Sequence, residues 1–165
     1  MNKFEVKFSK TGLIVFCLIY FVFVALCVAM FIFDYNFNLS ITFASFLFIT
    51  GGMVILSTVL FKVKVEDGIF KVRTKLGKKY KFDISQIRKV VCAKHDRPRL
   101  GPQYTITIIT EVNELELNMQ MNGFDSMAGY LLSEYDSGNL NKSVVSKCCY
   151  KELLIFKEGR YVKNK

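Results

Sequence analysis

Two long runs near the start of the chain contain no charge: none between Thr11 and Phe33, none between Tyr35 and Phe61, with Asp34 alone separating them. The runs are 23 and 27 residues long. Roughly 20 apolar residues, rising 1.5 Å each, cross a hydrocarbon core of about 30 Å, so each run can span once and neither can span twice. The pattern predicts an N-terminal segment at 1–10, transmembrane helices at 11–33 and 40–61, and a connecting loop at 34–39. A cleaved signal would show an apolar stretch of about 7 to 15 residues ending in a small-x-small site. The first run is longer, and Val24-Ala25-Leu26-Cys27 puts a leucine where a lipoprotein signal needs a small residue. It reads as a retained anchor. Neither span holds an ionisable residue of the kind that marks transport pathways. The small residues Ala25, Ala29, Gly51 and Gly52 are expected to pack one span against the other, because they let helix backbones approach closely.

From Lys62 the period changes to two. Phe70, Val72, Thr74 and Leu76 alternate with Lys71, Arg73 and Lys75, and beyond Gly77 the residues Tyr80, Phe82 and Ile84 alternate with Lys81 and Asp83. Matching the apolar faces predicts a three-residue loop, Gly77-Lys78-Lys79, with Lys75 opposite Lys81 and Arg73 opposite Asp83. Further strands are predicted at 63–65, 87–93, 104–110 and 115–121, giving six, with a long loop over 98–102. The period then becomes 3.6: Phe124, Met127, Ala128, Leu131, Leu132 and Tyr135 share one helical face, with Asn122 placed to cap the start and Gly138 the end. The fold class is a membrane helical hairpin followed, at 62–138, by a mainly-β domain whose bent antiparallel sheet is closed by one amphipathic helix. In the tail, 139–165, Val145, Cys149, Leu153 and Phe156 fit a helix, while Leu153 to Phe156 followed by Lys157-Glu158-Gly159-Arg160 fits a hairpin.

The strand exit Val65-Glu66-Asp67-Gly68-Ile69, the passage Phe82-Asp83-Ile84-Ser85-Gln86-Ile87-Arg88-Lys89-Val90 and the helix from Phe124 to Tyr135 resemble the bacterial pleckstrin-homology-like domain proteins in which a two-helix membrane hairpin precedes the domain. The resemblance covers about residues 10 to 137. It implies seven strands where six are read, so a seventh would lie in a stretch read as loop. In eukaryotic relatives of that fold, basic residues on the first hairpins bind phosphoinositide head groups, and the resemblance implies a comparable use here.

Charge sharpens this picture through its placement. Residues 62–99 hold thirteen Lys or Arg against four acids, a local balance of +9, whereas residues 1–61 sum to +1 and 100–165 to −1. Lys3, Lys7 and Lys10 precede the first span, Lys62 and Lys64 follow the second, and no basic residue lies between, which predicts a plasma-membrane protein with both termini cytoplasmic. The candidate lipid-contact residues are Lys71, Arg73, Lys75 and Lys81 on one hairpin face and Lys78 and Lys79 in its turn. Like charges opposed across strands are destabilising, so such a face implies solvation or an anionic partner, and anionic membrane lipid is the nearest. Positive-inside bias alone would load the same region with lysine. Nucleic acid is not expected as a partner, because Phe70, Tyr80 and Phe82 alternate onto the other face instead of interleaving with the cations.

The five cysteines show no CxxC and are expected to be reduced thiols, with no disulfide framework, no metal site and no cofactor. Cys148-Cys149 could be acylated on a membrane, although burial is the commoner fate of such a pair. Cys92, His95 and Asp96 lie close in sequence, but no oxyanion loop or nucleophile elbow accompanies them, so no catalytic residue and no enzyme activity are expected. The sequence therefore predicts a membrane-anchored binding module that contacts anionic lipid and a membrane or envelope protein. The alternative is an accessory subunit acting through its helical hairpin.

Overall fold

The computed structural model describes residues 3–32, 37–97 and 101–159. The chain forms two compact units: residues 1–7, 62–72 and 79–165 make up one, and 8–61 with 73–78 the other.

The second unit holds the helices α1 (Lys10–Ile32) and α2 (Phe37–Leu60), which pack together. Among the described residues one helical stretch, Lys10–Ala29, is long and apolar enough to cross a membrane. The expectation of two spans is met only in part. In α2, among the described residues, the apolar stretch is Phe48–Leu60, shorter than the length that crosses a hydrocarbon core. Of the expected loop at 34–39, residues 34–36 lie outside the described residues, while 37–39 form the first turn of α2 instead of loop.

The helix contact also differs from the small-residue expectation. Gly51 is buried, and a Cβ there would collide with the Tyr20 ring; Gly52 has open space around it, Ala25 is exposed and Ala29 is half-buried. The face of α1 turned inward carries Leu13, Phe16, Tyr20, Val24 and Cys27, at spacings of three and four. A ring seated in a glycine notch, and not small residues meeting from both sides, brings these helices together.

The first unit is built on two sheets. One has the order β4-β3-β2-β1-β8, from β1 (Lys3–Phe8), β2 (Lys62–Glu66), β3 (Ile69–Arg73), β4 (Lys79–Asp83) and the short β8 (Met121–Asn122). The other has the order β5-β6-β7, from β5 (Ile87–Arg97), β6 (Gly101–Thr110) and β7 (Glu114–Asn118). The seventh long strand is β1, in the N-terminal segment 1–10, to which the sequence pattern assigns no strand. It pairs antiparallel with β2 over five residue pairs, from Lys3 with Glu66 to Lys7 with Lys62, and has β8 on its other side. The helical hairpin is thus inserted between the first two strands of the sheet and does not precede the domain.

The β3–β4 turn corrects the expected register. Thr74 N–H donates to the Lys78 carbonyl and Gly77 N–H to the Thr74 carbonyl, both at 2.9 Å, and Phe70 stacks on Phe82 with ring centroids 4.6 Å apart. The loop has three residues, as expected, but they are Lys75-Leu76-Gly77. Both registers match the apolar faces. The difference is Gly77: its φ of +79° suits the last position of such a loop, where a left-handed residue closes the turn. Lys75 accordingly lies in the turn and not opposite Lys81.

Two helices cover the core. On α3 (Phe124–Asp136), Tyr130 packs on Phe4 of β1 and Phe70 of β3. Its N-cap is Gly123, not Asn122; Gly138 follows its end at φ +82°. The tail resolves as α4 (Lys147–Lys157), started by Ser146, whose hydroxyl accepts from the Cys149 amide, with Cys149, Leu153 and Phe156 buried. Phe156 meets Tyr104 of β6 and Phe124 of α3. Contrary to the expectation of unpaired thiols, Cys92 of β5 and Cys149 of α4 are joined as a disulfide, their Cα atoms 5.1 Å apart and 57 residues apart in sequence. Pairing Cys92 with Ile106 puts its side chain on the buried face of β5, toward α4, a proximity no sequence spacing reveals. Cys148 remains free and exposed.

Gly123 fixes β1 against the start of α3. Its φ is +88°, and an added Cβ would strike the Glu5 carbonyl and come within 3.3 Å of the Val6 Cα. Gly123→Ala is therefore expected to lower stability by more than about 1–3 kcal/mol, the usual cost of strained backbone alone. Gly138→Ala, with similar φ but open space, should lose less. Thermal unfolding of the two detergent-solubilised variants would rank them.

Candidate functional site

Alternation along β1 to β4 sends Phe4, Val6, Val63, Val65, Phe70, Val72 and Phe82 to the core. The other face of these strands carries, within this unit, Lys3, Lys7, Lys62, Lys64, Lys71, Lys79 and Lys81 against Glu5, Glu66 and Asp83. Seven cations against three anions leave a surplus of four. β1 contributes two of the lysines, which sequence reasoning assigned to a topology signal. The missed sign was the strict alternation Lys3-Phe4-Glu5-Val6-Lys7-Phe8, a strand pattern in its own right.

The register would place like charges together, since Lys7 lies opposite Lys62. Glu5 relieves this, reaching Lys7 Nζ at 3.1 Å and Lys62 Nζ at 2.9 Å. Its carboxyl is held below the ordinary glutamate range, chiefly by the Lys62 hydrogen bond. Glu66 plays the same part between Lys71 and Lys3, the latter at 3.0 Å, and these two lysines hold its pKa at about 2. Asp83 is turned the other way: it accepts from the Ser85 hydroxyl at 2.6 Å and from the backbone amides of Ser85 and Gln86, capping the 3-10 turn Ile84–Gln86. Its carboxyl is depressed by the Ser85 hydroxyl first and the amides after it. Two acids are thus each shared by two lysines and the third serves the backbone. Among the described residues, Lys64, Lys79 and Lys81 show no ion pair within the 4 Å limit of a salt bridge.

Of the six expected lipid-contact residues, Lys71 is half-buried and engaged by Glu66, while Arg73, Lys75, Lys78, Lys79 and Lys81 are exposed. Lys79 and Lys81 stay on the sheet face; Arg73, Lys75 and Lys78 fall in the segment that belongs to the helical unit. Lys75 Nζ lies 5.8 Å from the centroid of the Phe8 ring, at cation–π distance.

Lys81 also borders a cleft of about 470 Å³, with Ser85, Gln86 and Arg88 on one side and the turn from Thr110 to Asn113 on the other. Arg88 is paired with Glu111, and the turn is closed by the Thr110 hydroxyl donating to the Asn113 carbonyl at 2.9 Å. The arginine of this cleft is already paired within the chain. The residues once grouped as a possible nucleophile and base do not assemble: Cys92 is bonded to Cys149, and His95 is exposed on the opposite side of the strand.

The Glu66 clasp makes a pH prediction. A carboxylate depressed in the folded chain stabilises fully above its ordinary value of 4.5, and that contribution is lost as pH falls toward about 2. The native protein should unfold at higher temperature than Glu66→Gln above pH 4.5, and the gap should close as pH approaches 2. A gap independent of pH would place the effect in packing instead.

No protein-family model, curated protein or solved structure matches this chain.

Proposed function

We propose that the chain is a membrane-anchored binding module of pleckstrin-homology-like architecture, anchored by two spans, whose lysine-rich sheet face engages anionic lipid at the cytoplasmic surface. The single observation that carries this reading is the surplus of lysine on the face of β1 to β4, of which β1 leads directly into the helical hairpin and β2 directly out of it.

Several features support it. α1 exposes Leu18 and Phe21 at 61% and 68%, and α2 exposes Phe48 and Ile49 at 64% and 63%, a distribution suited to an apolar solvent. The rings of Phe8 and Phe61, at the two outer ends of the hairpin, lie 5.4 Å apart. If α1 rises about 34 Å through a bilayer, α2 must return the same distance to bring Phe61 back, so one crossing entails the other. The hydroxyls of Thr50, Ser57 and Thr58 donate to carbonyls of α2 itself at 2.8 to 2.9 Å, which satisfies them without water. Lysine flanks on the outer ends favour the cytoplasmic side for the sheet. Seven long strands divided four and three, followed by α3, supply the strand that the sequence resemblance lacked.

Each lysine near an anionic surface contributes about 1 kcal/mol, a contribution screened by salt. With full-length protein in nanodiscs, acetylation of Lys64, Lys79 and Lys81 should be slowed about fivefold by phosphatidylglycerol relative to phosphatidylcholine, with the protection lost in high salt. Equal labelling in both lipids would defeat the lipid reading.

A further inference from the structure

The turn between β3 and β4 ends in a leucine that nothing covers. Leu76 is 80% exposed at the tip of a tight, hydrogen-bonded loop, where a polar residue would serve the turn as well. This loop belongs to the compact unit of the two helices and touches their outer ends. Lys75 stands over Phe8, just before α1, and a Cβ at Gly77 would lie 3.6 Å from Leu60, the last residue of α2. Phe8 and Phe61 pair beside it and mark the outer ends of the two helices. Among the described residues of this unit, the charged side chains are Lys10, Arg73, Lys75 and Lys78, all cationic.

From this geometry we infer that the segment Thr74–Lys78 is an interfacial foot. Leu76 enters the acyl boundary of the bilayer that holds α1, and Lys75 and Lys78, on either side of it, take the phosphates of anionic lipid. The occupant is the bilayer itself: the loop adjoins the ends of the apolar helices, its charge is complementary to an anionic leaflet, and an apolar tip between lysines is the composition that snorkelling favours. The inference rests on the reading of α1 as a membrane span and adds to the basic sheet face a second, apolar contact made by a single side chain.

The chain contains no tryptophan, so one introduced indole is a clean reporter. Leu76→Trp and, as a marker of the span, Ile19→Trp are reconstituted as full-length protein into phosphatidylcholine vesicles with and without phosphatidylglycerol. The quenchers are lipids brominated either near the head group or near the methyl end. The indole at 76 should be quenched more strongly by head-group-proximal bromine than by deep bromine, and more in anionic vesicles. Adding Lys75→Gln and Lys78→Gln should lower the inserted-to-withdrawn ratio about fivefold for each lysine replaced. Quenching at 19 without quenching at 76 would overturn the foot and leave the span standing. Absence of quenching at both positions would overturn the span and the foot with it. Quenching at 76 that is equal in both lipids and insensitive to the lysine changes would overturn the phosphate contacts.

Discussion

The pairing of β1 with β2 is the constraint on which the rest of the molecule depends. It joins a strand that ends before the first helix to a strand that begins after the second, in a fixed antiparallel register from Lys3–Glu66 to Lys7–Lys62. With β2 along one side and the two-residue β8 on part of the other, β1 is an interior strand, and its apolar side chains Phe4 and Val6 complete the floor on which Tyr130 of α3 rests. The same ladder brings both outer ends of the helical hairpin to neighbouring strands. Remove it and the sheet loses an interior strand and α3 loses its contact at Gly123.

Electrostatics follows from that ladder. An antiparallel register that sets Lys7 against Lys62 would repel without Glu5, and the closeness of Lys3 and Lys71 calls for Glu66. Exposed ion pairs of this kind add little to stability one by one. Their effect is on composition: the acids are consumed in holding lysines side by side, and the face stays basic by design of its pairing. A face that only needed solvation could have alternated its charges one for one.

Much of the sheet could be read from period-two alternation, and α3 from its 3.6 period, because both elements bury one face only. The elements missed share a different property. β1 is short, adjacent to a helix long and apolar enough to cross a membrane, and rich in the lysines that topology rules explain, so its alternation had a competing account. The β3–β4 register turned on where a single glycine sits in a three-residue loop. The glycine notch for Tyr20 and the Cys92–Cys149 bond depend on tertiary approach, to which spacing along the chain is blind. Of the candidate site, the sequence identified lysines of the β3–β4 hairpin but not their partition between a sheet face and a turn, nor the contributions of Lys3, Lys7, Lys62 and Lys64 to that face.

Placing a helical hairpin between adjacent strands also dictates an order of assembly. β1 is made before its partner β2, which follows only after 53 further residues, the helices among them. Closing so long a loop in a flexible chain carries an entropic cost that grows with its logarithm. Helices that pack on each other before β2 emerges have already brought the ends together, so most of that search is finished in advance. Packing of the helical hairpin thus acts as a template for the sheet: a chain whose helices fail to pack would be left with β1 unpaired and alternating, open to pairing with other chains.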